Sequence, residues 1–192
     1  MDNYGATKSQ PIDRQSAGPF DVSELIQVRP SIDFGAIQLP MRDDLIYKLE
    51  VEESSSKIFA LTVEHKGSSI QLQAFSASGA EGVWHEIRAA LEQSIVTQKG
   101  KTEVVIGPLG PELNAQIPSS DGGTRLAKFI GVDGPKWFLR GVISGLALGD
   151  VLSMTYMIDI FRSVAVVRGA APMPPKELLT LVAPSGAQKS VS

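Results

Sequence analysis

The strongest constraint on how this chain can fold is a change in the spacing of its apolar residues. From Tyr47 to Glu53 the spacing alternates strictly, with Tyr47, Leu49 and Val51 on one side and Lys48, Glu50 and Glu52 on the other. That is the pattern of a half-buried strand. From Glu81 to Lys99 the spacing becomes helical: Val83, Trp84, Ile87, Ala90, Leu91 and Ile95 share one face, and His85, Glu86, Glu92 and Gln93 lie opposite. Gly100 stands where a helix C-cap glycine belongs. Beyond it the strand pattern returns. A sheet and a helix each carry an apolar side that the other can bury, so this alternation predicts an α+β fold.

The remaining elements follow from the same signals. Ile32 to Pro40 ends at a proline, as an edge strand would, and KIFALTVEHK and SSIQLQAF read as two strands joined around Gly67. After the helix come TEVVIG, ELNAQIP, RLAKFIGV and KWFLRGVISG, the last two separated by Asp133 and Gly134. An Asp-Gly pair favours a tight hairpin, but Pro135 has no amide hydrogen to close a two-residue loop. A three- or four-residue loop is expected, with the register open. A second helix is predicted from Asp150 to Phe161, with Asp150 as N-cap and Val151, Met154, Ile158 and Phe161 on its buried face. SVAVVRG then closes the domain as a strand. The expected order is ββββ-α-ββββ-α-β, a largely antiparallel meander of about seven to nine strands with two main helices.

Residues 1–30 are rich in Gly, Ser, Gln and Asp and predict a mostly flexible tail. Residues 31–170 form the single α+β domain, and residues 171–192 are an extension in which Pro174 and Pro175 start a short helical turn from Lys176 to Leu181 before a final tail. The N-terminus lacks the apolar run of a secretory signal, which places the protein in the cytoplasm. Phe138 to Ile160 is apolar and carries Gly141, Gly145 and Gly149, but Arg140, Asp150 and Asp159 interrupt it. Its longest uncharged run is less than half the roughly 20 residues a membrane span requires.

With no cysteine, the chain has no disulfide, thiolate nucleophile or cysteine-based metal site. A net charge of −3 argues against strong nucleic-acid binding, which needs a basic field. Neither nucleotide-binding glycine pattern is present, Ser144 in GVISG has the wrong spacing for a hydrolase elbow, and His65 and His85 are too far apart in sequence to predict a shared metal. The adjacent acids Asp43 with Asp44 and Glu52 with Glu53 point to opposite faces of a strand. No metal or cofactor is expected.

One constellation stands out: Lys136, Trp137, Phe138, Leu139 and Arg140 after the Asp133–Gly134 turn. Alternation puts Trp137, Leu139 and Ile143 on one face and Lys136, Phe138 and Arg140 on the other. If the first set faces the core, the second displays an aromatic ring between two cations, the chemistry that interface centres favour. If helices cover both faces, Phe138 is core and Arg140 pairs with an acid such as Glu112.

GPFD, IDFGAIQLP, IQLQAF, GPLGPEL, FIGVDGPKWFLRG and FRSVAVVRG with PMPP, spread from Gly18 to about Pro184, resemble the actinobacterial family called domain of unknown function 3710. The resemblance implies an actinobacterial, cytoplasmic protein and brings no activity, substrate or catalytic residue. It also implies that GPFD is more than tail. The order of strands and helices is similar to that of Mog1/PsbP-like proteins, a likeness of fold alone.

The favoured expectation is a non-enzymatic protein-binding or adaptor domain that binds another protein through Asp133, Lys136, Phe138, Arg140 and Arg125. The alternative is a small-molecule binder or enzyme with a dispersed site, in which His65, Arg125, Arg140 and Glu112 meet in a cleft. A third reading is peripheral membrane association through the more basic half, Arg125 to Arg168.

Overall fold

The computed structural model describes residues 7–186. The chain begins with a short helix, α1 (Arg14–Ala17), and strand β1 (Phe20–Asp21), followed by β2 (Ser31–Asp33) and β3 (Ile37–Pro40). Three longer strands follow, β4 (Ile46–Val51), β5 (Ile58–His65) and β6 (Ser68–Ser76), and then helix α2 (Trp84–Thr97). β7 (Lys101–Gly107), β8 (Gly110–Pro118), β9 (Thr124–Asp133) and β10 (Trp137–Gly145) precede helix α3 (Val151–Ser163) and the two-residue strand β11 (Ala165–Val166). The fold is α+β, as the change of period predicts.

Seven strands form one antiparallel sheet in the order β4-β5-β6-β10-β9-β8-β7. α2 carries the chain from β6 in the middle to β7 at the far edge, and three hairpins bring it back to pair β10 with β6. The register left open by sequence places Phe138 opposite Asp133, with residues 134–136 as the connection and the Gly134 amide donating to the Trp137 carbonyl at 2.8 Å. The missing amide of Pro135 is accommodated because that loop asks no hydrogen bond of it.

Both faces of the sheet are apolar, and each is covered separately. On one face Leu61, Ile70, Leu72, Ile130, Trp137, Leu139 and Ile143 pack under α3 through Met157, Ile158 and Phe161. On the other, Leu113, Ala115, Ala127, Phe129 and Phe138 pack under α2 through Trp84 and Ile95. Successive residues of β9 and β10 therefore enter different cores, which explains the near-continuous apolar runs of these strands.

A second sheet, order β1-β11-β3-β2, caps the α3 side. It accounts for three departures from expectation. Ile32 to Pro40 is a hairpin bent at Phe34–Ala36 rather than one edge strand, with Gly35 at φ +83° and its amide bonded to Asp33 Oδ1. The closing strand is only Ala165–Val166 and joins this sheet instead of the large one. The expected helical turn at Lys176 to Leu181 is an extended strap: Leu178 bridges Phe75 and Leu181 bridges Gly35, which ties the two sheets together.

The expected N-terminal tail is also corrected over the described part. Residues 1–6 and 187–192 lie outside the described residues. Of the rest, Arg14 is only 4% exposed and grips Glu24 through two bonds of 2.7 and 2.8 Å, while the Ser9 amide donates to Asp133 at 2.9 Å. β1, part of GPFD, pairs in parallel with β11. A polar composition hid this packing because one buried arginine with its half-buried partner and backbone pairing, rather than an apolar face, hold the segment. At the end of α2 the left-handed residue is Lys99 (φ +64°), not Gly100. Gly100 serves close approach instead, since a Cβ there would lie 2.5 Å from Ile95 Cγ2 and 2.6 Å from the Gln116 carbonyl.

Candidate functional site

The turn before Trp137 is a structural junction. Asp133 is 1% exposed, and its carboxylate accepts from the amides of Val83 (2.8 Å), Trp84 (3.4 Å) and Ser9 (2.9 Å). It thus satisfies otherwise orphaned donors at the start of α2 and pins the N-terminal segment. Burial raises its carboxyl above the usual value despite those bonds. Phe138 is 0% exposed and stacks against Phe75 and Trp84 at centroid distances of 6.0 and 5.7 Å, so of the two readings of the row the one with both sheet faces covered holds for the ring. Arg140 is half-buried, lies 5.5 Å over the Phe75 ring and donates to Gln73 Oε1. Burial lowers its pKa, though an arginine stays charged. Lys136 and Arg125 are exposed. The row is therefore no continuous surface, because α2 covers that face.

The dispersed cleft is not assembled either. Glu112 faces α3, whereas Arg140 shares the α2 side with Phe138, an opposition that strand parity imposes. Glu112 pairs with Lys128 and not with Arg140. His65 stands against Asp44 (Nε2 to Oδ2, 3.4 Å) and the Tyr156 ring (4.4 Å). His85 lies on α2 beside Arg88.

A different cleft does exist. α3 covers the α3-side face only as far as β9, and an open cavity of about 650 Å³ lies between the start of α3 and the β7-β8-β9 end of the sheet. Its walls include Val105 and Ile106 from β7 and Val151, Met154 and Ile158 from α3. Ile106 and Val151 are each 80% exposed. Among these apolar walls sit Glu112 and Lys128, paired at 2.8 Å with side chains only 4% and 16% exposed. Glu112 Oε2 takes the lysine, and Oε1 is buried without a partner among the described residues. Gly107 makes room for this carboxylate, since a Cβ there would fall 2.0 Å from Oε1.

The stretches that carry the resemblance meet in space. Trp137 Nε1, from GPKWF, donates to Asp21 Oδ2, from GPFD, at 2.9 Å, and GPFD runs beside the SVAVVRG strand. A family pattern described as protein of unknown function (DUF3710) matches residues 18–190. The chain belongs to DUF3710. No curated protein and no solved structure matches it.

In this DUF3710 chain the cleft residues were only partly legible. The spacing of the second helix puts Val151, Met154 and Ile158 on its buried face, but Val151 is 80% exposed and lines the open cleft instead, because nothing of the sheet packs over the start of α3, while Glu112 stands out in sequence only as an acid. Lys128 carries a further sequence signal: a lysine in the middle of a strand, among Ala127, Phe129 and Ile130, needs a counter-charge. Nothing local announced that α3 would stop short of β7.

Proposed function

We propose that this protein is a non-enzymatic binding domain whose site is the cleft between α3 and the β7-β8-β9 end of the sheet, and whose ligand is a small amphipathic molecule. The observation that carries the proposal is Glu112 Oε1, a buried acceptor at the cleft without a partner among the described residues. Leaving such an atom unpaired costs about 1–3 kcal/mol, a deficit that an arriving hydrogen-bond donor removes. The ligand therefore has an apolar body for Val105, Val151, Met154 and Ile158 and a donor head, an ammonium, amide or hydroxyl, for Glu112.

A binding role fits the contents of the cleft better than catalysis. Neither histidine reaches it, and the Glu112 carboxylate is held by Lys128 as an acceptor rather than poised beside a nucleophile. Burial of Phe138 takes away the surface expected for a protein partner, and this favours the small-molecule alternative.

The test is a fragment screen read by methyl NMR of the whole chain. Apolar fragments with a donor head should shift the methyls of Val151, Met154 and Ile158 and lose that effect in Thr155→Trp, which fills the cleft from an exposed helical position. Shifts that cluster elsewhere, or that persist in Thr155→Trp, would sink the proposal.

A further inference from the structure

At the β9–β10 turn, sharing no residue with the cleft above, an open groove of about 570 Å³ is lined by Lys8, Asp21, Ser23, Lys136 and Arg168, with Gly79 and Gly169 alongside. Four distant stretches of chain bring three cations and a single carboxylate together here. The carboxylate is already committed. Asp21 Oδ2 accepts from Trp137 Nε1 at 2.9 Å, and Oδ1 accepts from the Ser23 amide at 3.0 Å and its hydroxyl at 2.6 Å. Burial would raise this carboxyl, but those bonds and the nearby Arg14 outweigh it and hold the pKa below the usual value.

The cations, by contrast, are under-compensated. None of the three makes an ion pair with a carboxylate among the described residues. Lys8 Nζ donates to the carbonyls of Gly134 (2.8 Å) and Pro135 (3.1 Å), which leaves one of its three donors without a partner among the described residues, and its charge is felt by the buried Asp133. Arg168 gives one nitrogen to the Ala171 carbonyl at 3.0 Å, while its Nε is buried without a partner among the described residues. Lys136 is exposed and lies along Gly79, where a Cβ would come within 3.9 Å of its side chain. In a chain of net charge −3, three such cations around one groove are not explained by general surface charge.

We propose that this groove binds a phosphate-type oxyanion. The flat guanidinium of Arg168 offers directional donors to the oxygens, Lys136 closes on the anion from the exposed side, and the remaining donor of Lys8 completes the set. The Ser23 hydroxyl is spent on Asp21 and takes no part. Free phosphate and a phosphate ester present the same oxygens, and the site recognises that shared group.

The test uses the full chain at constant ionic strength, with inorganic phosphate, phenyl phosphate and chloride titrated in parallel and read by calorimetry and by the shift in melting temperature. Phosphate should bind saturably where chloride does not, and Lys136→Glu and Arg168→Gln should each weaken it about tenfold or more. Lys101→Glu, an exposed lysine away from the groove, should leave it unchanged. Because Lys136 is exposed and makes no ion pair among the described residues, its variant should melt at the wild-type temperature without ligand. If phenyl phosphate binds tighter than phosphate, the source is an ester; equal affinity points to the free anion, and the site stands in both cases. Binding indistinguishable from chloride, equal binding by Lys136→Glu, or equal weakening by Lys101→Glu would overturn it.

Discussion

Phe138→Ala separates a buried ring from an interface ring. The side chain is fully buried, with Phe75 and Trp84 stacked against it and Gly131 at its edge, where a Cβ at 131 would lie 2.7 Å from Phe138 Cε2. Removing a core phenylalanine typically costs about 3–5 kcal/mol, as transfer free energy and residual cavity add. Two aromatic neighbours favour the upper half of that range, because stacked pairs add about 0.5–1.5 kcal/mol each beyond area. Room to collapse is small here, since Trp84 is itself locked by a 2.7 Å bond from its Nε1 to the Pro111 carbonyl. A loss of about 4 kcal/mol is expected, a large share of the roughly 5–15 kcal/mol that holds a domain folded. Urea unfolding followed by far-ultraviolet circular dichroism should show the midpoint falling by about 2 M at a slope near 2 kcal/mol/M, with the slope unchanged. A loss under about 1 kcal/mol would refute the burial and restore Phe138 as a surface residue.

Two further substitutions test the junction around it. Asp133→Asn keeps an acceptor for the amides of Val83 and Trp84 but turns a donor toward the Ser9 amide, and should cost about 1–3 kcal/mol. Because burial raises the folded carboxyl of Asp133 above 3.8, its contribution to stability is complete below that pH and declines as pH rises through the raised value. The difference between wild type and Asp133→Asn in urea should therefore be larger at pH 4 than at pH 7; a difference that grows with pH would contradict the raised pKa. Gly131→Ala would set a Cβ 2.5 Å from Trp84 Cδ2 between rings that cannot yield, so a loss of about 1–3 kcal/mol in the thermal or urea transition is expected, and a neutral outcome would show that α2 can shift outward.

The sequence by itself determined the elements. Alternation and helical spacing depend on which side of a short segment is apolar, so β4 to β10, α2 and α3 could be read from a few residues each, down to Asp150, whose side chain accepts from the Ser153 amide at the start of α3. The lysine-phenylalanine-arginine row shows where that reading stops. Alternation correctly separated Trp137 from Phe138, yet both faces proved to be core, because whether a face is wet depends on where α2 and α3 lie. Tertiary structure alone decided the rest. It folded the polar N-terminal stretch onto Asp133 through one amide, tied it with a pair between buried Arg14 and half-buried Glu24, split the last strand into a second sheet, and left the β7-β8-β9 end open on its α3 side so that Glu112 and Lys128 form part of a cleft. It also brought Lys8, Lys136 and Arg168 to one groove. These are contacts between residues distant in the chain, and their energies depend on distance and burial, which no local pattern encodes.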